Sequence, residues 1–577
     1  MATNSVNKPT NNHLHYGDNL AVLRESIADE SVDLIYLDPP FNSARDYNIL
    51  FASPKGQSSQ AQITAFEDSW HWGEQAEKEF GEIVQGKNTD VAQMMLAMRA
   101  FLGENDMMAY LTMMANRLIE LHRVLKPEGG LYLHCDPTAS HYLKIVLDGV
   151  FGKENFRSEI IWRRSGSHNS ATKQFGPVHD SILLFAKTEK HRLNSVTTPY
   201  SKAYIDGEFT YTDDKGMYRL NEIMGPGART GDSGKPWRNY DPTPKGRHWA
   251  IPESLRSQLP TRGAGLTLQQ QLDGLDALGE LYISPSGRPK YKQRPNTGVA
   301  LQDIWAFQPG TEGTLYESDL AIDADVKWLS NEAEKLGYPT QKPVGLLERI
   351  IGASSKEGDV VLDPFCGCGT TIHAAQKMRR NWMGIDVTHL AISLIEKRLR
   401  DAFPGIVFDV HGVPKDIEGA RDLALRDKYQ FQWWACSLVN AQPFQGKKKG
   451  ADGGIDGLIY FQDEAKGHKK IVVSVKGGAV NVAMVRDLAH VVAREKAEIG
   501  LFVSLLPSTK PMMIEAVKEG YYTSPDTGKS FTKLQILTIE GLLDGTERAS
   551  YPDLSQGATT FKKAKLEEKP TKQTGLF

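Results

Sequence analysis

Cysteine is scarce: Cys135, Cys366, Cys368 and Cys436 are the only four in 577 residues. That density excludes a disulfide scaffold and suits a reducing compartment. No CxxC…CxxC spacing occurs, so these thiols build no zinc-finger frame. No stretch approaches the roughly 20 apolar residues that span a bilayer. The opening Met1-Ala2-Thr3-Asn4-Ser5 lacks the basic run and apolar core of a secretory signal. A soluble, cytoplasmic protein without membrane contact is therefore expected. An excess of one charge is missing too. Lys+Arg number 68 and Asp+Glu 71, for a net charge of −3, which excludes a basic coat over the whole surface and leaves only local patches for nucleic acid.

What is present is an ordinary globular composition, 40% hydrophobic and 24% charged. At about 150 residues per domain the chain is long enough for several buried cores. Apolar runs alternate with helical patterns, which indicates an α/β sheet. Ser31-Val32-Asp33-Leu34-Ile35-Tyr36-Leu37 reads as a buried strand, stopped at Asp38-Pro39-Pro40-Phe41 because proline cannot extend a central ladder. Met107 to Leu125 reads as a long helix, stopped by Lys126-Pro127-Glu128-Gly129-Gly130. Strands are expected at Leu131–Cys135 and Ile182–Phe185. Periodicity fades over residues 188–325, which read as an irregular insert too aromatic to be disordered. The α/β pattern returns over 326–412, with helices at Val344–Ala353, Thr370–Lys377 and Leu390–Leu399 and strands at Val360–Asp363 and Trp382–Asp386. Residues 414–548 form a separate α/β unit. Residues 549–577, rich in Lys, Glu and Thr, read as a mobile tail.

Two segments carry chemistry. Asp363-Pro364-Phe365-Cys366-Gly367-Cys368-Gly369-Thr370-Thr371 joins a strand to a helix. Its glycines let a ligand approach the backbone, and the helix N-terminus favours a carboxylate. The spacing is neither GxGxxG nor a Walker loop, which argues against a dinucleotide phosphate and hence against an oxidoreductase. One strand later Asp386 closes Met383-Gly384-Ile385, where a carboxylate can accept from two ribose hydroxyls. Glycines alone would suit any tight βα turn, but acids on two consecutive strand ends make a nucleoside site the better reading. Cys366 and Cys368, with no further ligands nearby in sequence, read as small loop residues. The second segment is Asp38-Pro39-Pro40-Phe41. Its prolines fix the backbone, the Asp38 carboxylate and the Pro39 carbonyl can accept from one exocyclic NH2 group, and Phe41 can stack on a base. Alone, it could equally be a strand terminator with a helix cap.

Together with Gly17-Asp18-Asn19-Leu20, Ser158-Glu159-Ile160-Ile161-Trp162 and Gly337-Tyr338-Pro339-Thr340-Gln341-Lys342-Pro343, these segments resemble the β-class DNA amino-methyltransferases, which use S-adenosyl-L-methionine. The DPPF half precedes and the FxGxG half follows, in that family's permuted order, from about Gly17 to Leu399. The resemblance implies a Rossmann-like methyltransferase fold. Residues 11–187 would form the catalytic half, 188–325 the target-recognition insert and 326–412 the cofactor half. It implies that Asp363 and Lys342 face the methionine end of the cofactor and that Phe365, Gly367, Gly369 and Thr370 cradle it. Asp386 would hold the ribose and Asp18 would lie near the adenine. Asp38 and Pro39, with Pro40 fixing the turn, would hold the target amine, and Phe41 would stack on a base flipped out of double-stranded DNA. Asp rather than Ser before the prolines favours adenine N6 over cytosine N4. A homodimer and a partner restriction subunit are further expectations from the family. Methylation of protein glutamine or RNA also uses Asp/Asn-Pro-Pro turns, but the permuted order and long insert argue against it.

Candidate DNA contacts are Arg163 and Arg164 after the Ile-Ile-Trp strand, with Arg288, Lys290, Lys292 and Arg294 in the insert. Any one of them would also make an ordinary solvated charge. In the last unit, Ala451-Asp452-Gly453-Gly454-Ile455-Asp456-Gly457 and Ser474-Val475-Lys476-Gly477-Gly478 resemble the Mrr-like branch of the PD-(D/E)xK restriction-endonuclease-like fold. This implies a Mg²⁺ site at Asp456 with Lys476 beside it. Ser474 stands where an acid or Gln is expected, and Gln432 where relatives often carry Glu. Both departures remove negative charge. A nuclease-like fold is expected, with DNA cleavage and a purely DNA-binding or interaction role as alternatives. Lys447-Lys448-Lys449 beside it suits phosphate binding.

Overall fold

A computed structural model of the chain describes residues 11–40, 46–52, 58–67, 71–166, 175–296, 298–307, 321–329, 334–336, 338, 340–444, 453–464, 468–555 and 560–567. Phe41, Gly337, Pro339 and Lys447–Lys449 lie outside the described residues. The chain forms two compact units. One is built on Ser195–Leu301; the other holds the residues up to Asn194, Gln302–Phe307 and those from Asp325 on.

The larger unit contains a nine-stranded sheet. In chain order its strands are β1 (His13–Tyr16), β2 (Val32–Leu37), β3 (Leu125–Cys135), β4 (Phe156–Arg163), β5 (His179–Ala186), β6 (Ile304–Trp305), β7 (Val360–Asp363), β8 (Asn381–Asp386) and β9 (Asp409–His411). They lie in the order β6-β4-β5-β3-β2-β7-β8-β1-β9. Only β5 runs antiparallel to its neighbours. Helices cover a mostly parallel sheet on both faces, so its central strands are apolar throughout: Leu34, Ile35, Tyr36 and Leu37 are all buried. The covering helices include α1 (Asn19–Ser26), α2 (Asp106–Val124), α3 (Val344–Ser354), α4 (Thr370–Lys377) and α5 (His389–Ala402). In α2, Asn105 caps the first turn by accepting from the Met108 amide at 3.0 Å. Met108, Leu111, Ala115, Leu118 and Leu121, at three- and four-residue spacing, form its buried stripe.

The pairing that matters most joins β2 to β7, with Leu34 opposite Val361 and Ile35 opposite Leu362. It brings Asp38, just past β2, and Asp363, at the end of β7, to the same end of the sheet, where the strands finish. The expected stop after α2 takes a different form. The helix ends at Val124, but pairing to β2 begins at once, with Leu125 opposite Val32 and then Gly130 opposite Leu34. Lys126–Gly129 bulges out between them, which accommodates a proline that cannot donate to a ladder.

The same unit contains a five-stranded sheet from the last part of the chain: β10 (Gln442–Pro443), β11 (Gly457–Phe461), β12 (Lys469–Lys476), β13 (Ile499–Ser504) and β14 (Leu534–Thr538), in that order. It is antiparallel from β10 to β12 and parallel from β12 to β14. Helices α6 (Lys428–Leu438), α7 (Val482–Arg494) and α8 (Lys510–Lys518) accompany it. Part of the expected mobile tail is anchored. The Thr560 hydroxyl donates to the Tyr460 carbonyl at 2.7 Å, the Glu567 amide donates to Ala402 at 3.0 Å, and the Glu567 carboxylate lies 3.0 Å from His373 Nε2.

In the smaller unit, Tyr211–Asp213, Gly216–Glu222, Leu281–Ile283 and Pro289–Gln293 form a four-stranded antiparallel sheet. The aromatic residues that argued against disorder supply its core: Trp237, Tyr240 and Trp249 pack with Leu255, Leu272 and Leu275. No helix among the described residues is long and apolar enough to cross a membrane.

Candidate functional site

The carboxyl ends of β2, β7 and β8 open on one cavity of about 440 Å³. Asp38, Pro39 and Pro40 line it from one side. Asp363, Phe365, Gly367, Thr370 and Asp386 line it from the other, with Asp18 and Lys342 between them. From β2 the chain proceeds to β3 on one flank, whereas from β7 it proceeds to β8 on the other. This is the switch point where open α/β sheets bind their ligands.

The glycine loop needs its glycines. Gly367 and Gly369 have φ of +50° and +74°, a region that L side chains avoid. A Cβ on Gly369 would lie 2.8 Å from Ile395 Cγ1, and one on Gly367 would lie 3.2 Å from the Tyr338 ring. Asp363 accepts from the Phe365 amide at 3.0 Å. Burial pushes its carboxyl up to about 7, against the hydrogen bonds from Thr371 and Phe365 and helped by the nearby Asp38 and Asp386 charges. Asp386 accepts from the Gly367 amide at 3.0 Å and from the Thr388 amide and hydroxyl at 2.9 Å. Burial raises it to about 6 in spite of those bonds.

Asp38 presents two unlike oxygens. Oδ2 accepts from Lys342 Nζ. Oδ1 is buried and has no hydrogen-bond partner among the described residues. Lys342 and Asp363 both line the cavity, as the sequence reading expected, and Lys342 also pairs with Asp38 there. Two opposite charges in a poorly solvated wall stabilise each other more than either would a distant group. Asp18 is similarly engaged: it caps α1 by accepting from Ala21 at 3.1 Å and accepts from Arg117 at 2.8 Å.

Several cavity residues escaped the sequence reading. Arg117 also donates to Asn19 at 2.6 Å, and Asn19 donates to the Pro364 carbonyl at 2.9 Å, so α2, α1 and the glycine loop are laced together. The available signal was a lone arginine within the apolar face of α2. Tyr36, two positions before Asp38, lines the cavity as well. Its hydroxyl lies 2.9 Å from His134 Nδ1, and His134 Nε2 lies 3.0 Å from Asp180. Burial and the acids around it push Tyr36 well above the ordinary tyrosine range. Burial alone would raise Asp180, but His134, Lys342 and Arg164 hold it below the usual carboxylate range.

The basic residues proposed for DNA are placed less openly than expected. Arg164 pairs with Asp180 at 2.8 Å, while Arg163 donates to the Ser165 carbonyl at 3.2 Å and lies over Trp328. In the insert, Arg288 pairs with Glu222 at 2.8 Å, Lys290 lies 4.0 Å from the same acid, and Lys292 and Arg294 pair with Asp213 at 2.9 and 2.8 Å. The antiparallel sheet sets these cations against Glu222 on the adjacent strand and Asp213 on the strand beyond it.

In the C-terminal unit Asp456 does not face a metal site. Its Oδ1 accepts from Gln432 Nε2 at 2.7 Å. Its Oδ2 accepts from the Val475 amide at 2.6 Å and the Ser474 hydroxyl at 3.3 Å, with Lys476 at 3.7 Å. The two residues that depart from the nuclease pattern therefore supply donors where a cation needs acceptors. Among the described residues no group of three metal-ligating side chains includes Asp456. The residues do not fit Mg²⁺.

Comparison with known proteins gives two family matches. A DNA methylase family model matches residues 32–397. A model described as NACHT-associated inactive restriction endonuclease matches residues 438–525. Type II methyltransferase M.EcaI of Enterobacter cloacae is 29% identical over 391 residues, covering 67% of this chain and 69% of that protein. The Mod subunit of the type III restriction-modification enzyme StyLTI of Salmonella typhimurium is 25% identical over 389 residues, covering 65% of this chain and 51% of that one. The chain thus spans about two thirds of the first relative and about half of the second. The solved structure of PvuII DNA methyltransferase, titled cytosine-N4-specific, aligns over 69% of this chain and 89% of that one, at 13% identity and a TM-score of 0.30, too loose a match to argue from.

Proposed function

The chain belongs to the DNA methylase family, and from that premise we propose that it methylates an exocyclic amino group in double-stranded DNA, with adenine N6 as the target and S-adenosyl-L-methionine as the donor. One observation carries the reading: Asp38, with a buried and unpartnered oxygen, shares a cavity with the glycine loop and with Asp363 and Asp386. The residues fit the donor. Asp363 is a buried acid at the loop's start, suited to an ammonium group. Asp386 keeps unused lone pairs for ribose hydroxyls, and Gly367 lines the cavity while Gly369 turns the loop behind it. When bound, the cofactor supplies a methyl group already activated on a sulfonium, so what the protein must supply is position. Asp38 Oδ1 accepts one N–H of the target amine and aims its nitrogen into the cavity. Pro39 and Pro40 hold that carboxylate at a fixed angle. The base arrives flipped out of the duplex, because an amine inside the stack cannot reach Asp38. A restriction–modification system is the proposed setting, with a separate restriction subunit or a second copy of the chain as partners.

The test is incubation with methyl-labelled cofactor and mixed-sequence duplex DNA, followed by base-resolved mapping. Label is expected on adenine N6 at one recurring sequence. Label on cytosine N4 would reverse the base assignment, and unlabelled DNA would refute the reading. Adding Mg²⁺ is expected to leave the DNA uncut, since Gln432 and Ser474 point donors at Asp456 where a cation needs further acidic ligands.

The pH dependence follows from Asp363. Its folded value, about 7, lies above the unfolded one. The native state therefore keeps a proton that the unfolded chain releases, and this group's contribution to stability falls as pH rises from about 4 to about 7. Cofactor binding should move the other way. An ammonium group selects the ionised carboxylate, so affinity should weaken as pH falls through about 7, approaching about tenfold per unit. Calorimetric titration should show this slope in the native chain and a much flatter line in Asp363→Asn above about pH 6, below which Asp386 titrates as well.

A further inference from the structure

A cluster of metal-ligating side chains sits at the β1–β9 edge of the sheet, toward the opposite end of β1 from Gly17. The two strands run parallel, with His13 opposite Asp409 and His15 opposite His411. Residues two apart share a face of a strand, so this register puts all four side chains on one face, while Leu14 turns into the core. His13 Nδ1 lies 3.1 Å from His411 Nε2 and 4.0 Å from an Asp409 oxygen. One ligand atom from each of the three residues falls within 4.8 Å of the others. His15 stacks on His411 with ring centroids 4.6 Å apart, which fixes the plane of that ring. Asp409 is exposed and both imidazoles are partly exposed, so an ion can enter from solvent.

We propose that His13, Asp409 and His411 form a binding site for a divalent transition metal of the zinc class, with water as the fourth ligand. Two imidazoles and a carboxylate are a donor set that zinc accepts. The nitrogen separation is close to what two ligands at about 2.0–2.1 Å from one ion subtend at a tetrahedral angle. A hydrogen bond between the two rings, with Asp409 as an ion-pair partner of His13, would use the same distances, and zinc uptake distinguishes the two. The ion's role follows from where the strands lie. β1 is the first described strand of the sheet and β9 the last, and β9 leads into the C-terminal unit. A metal clip would fasten this short edge strand to β1 across the face that the four side chains share. It is separate from the methyl-transfer cavity, which none of the three residues lines.

The probe is Zn²⁺ alone, offered to the untagged full-length chain after chelator treatment. Equilibrium dialysis with elemental analysis is expected to return one zinc per chain, and the thermal midpoint should rise with Zn²⁺. His411→Ala and Asp409→Asn should each weaken binding by at least the about 10–100-fold that even an outer-sphere partner is worth, and should abolish the midpoint shift. His13→Gln replaces either variant should its circular dichroism show that it has not folded. No zinc retained by the native chain would overturn the proposal, as would equal binding by the ligand variants.

Discussion

Replacing Asp38 with alanine is expected to lower methyl transfer by about 10²–10³-fold or more while the cofactor still binds. The reason lies in the two oxygens. A buried acceptor left without a donor costs about 1–3 kcal/mol, and Asp38 Oδ1 is such an acceptor. A target amine supplies the missing donor, and alanine has nothing to offer it. Alanine also takes the carboxylate away from Lys342, whose side chain is only 11% exposed. Removing one partner of a buried pair costs about 3–5 kcal/mol, so lost activity in this variant could be blamed on lost structure. Asp38→Asn separates the two effects. Its amide oxygen can still accept from Lys342, yet its amide nitrogen would meet the target amine donor to donor. Asn should therefore unfold at a higher temperature than Ala and bind cofactor in a calorimeter within a few-fold of the native chain, but transfer almost no methyl. Methylation by Asp38→Asn at near-native rate would remove Asp38 from the chemistry.

What could be read in the sequence is what local signals encode. Helix α4 begins at Thr370 as the glycine loop requires, and β7 covers the four residues that its apolar run and terminal Asp363 predict. The meeting of Asp38 with Asp363 was inferred from the order of two motifs, and the β2–β7 pairing supplies it physically. Partnerships made by long-range register stayed hidden. Lys292 meets Asp213 only because two insert strands pair with a third, and Lys342 meets Asp38 only once the sheet has formed. Composition therefore made these residues look available when they are paired. Tyr36 and His134 sit in apolar strands and read as core, though with Asp180 they run from the cavity wall toward Arg164. The tail misled for a related reason. Its Lys and Glu content signals solvation, whereas a few of its residues, Thr560 and Phe561 among them, dock on other elements.

Truncating Trp433 to alanine should cost about 3–5 kcal/mol of stability and, unlike an equal loss elsewhere in the same unit, should also weaken cofactor binding. Trp433 lies on α6, 8% exposed, and packs with Tyr338, Cys368 and Leu390. Cys368 belongs to the glycine loop, and the Tyr338 ring closes the space beside Gly367. One turn earlier, Gln430 accepts from the His389 amide at 3.1 Å, three residues beyond Asp386. Phe561 joins the same cluster from the tail. A unit whose would-be metal carboxylate is held by donors from Gln432, Ser474 and Val475 thus keeps a face that braces the cofactor loop from behind. Phe431, on the same helix and 2% exposed, packs instead into the C-terminal unit's own core. Phe431→Ala should destabilise by a similar amount yet leave the loop braced. Calorimetric titration at a temperature where both variants are folded should show weaker cofactor binding for Trp433→Ala only, with most of it restored in Trp433→Phe. Equal weakening in both would mean that the cofactor senses overall stability alone, and the bracing contact would then have no part in holding the loop for its ligand.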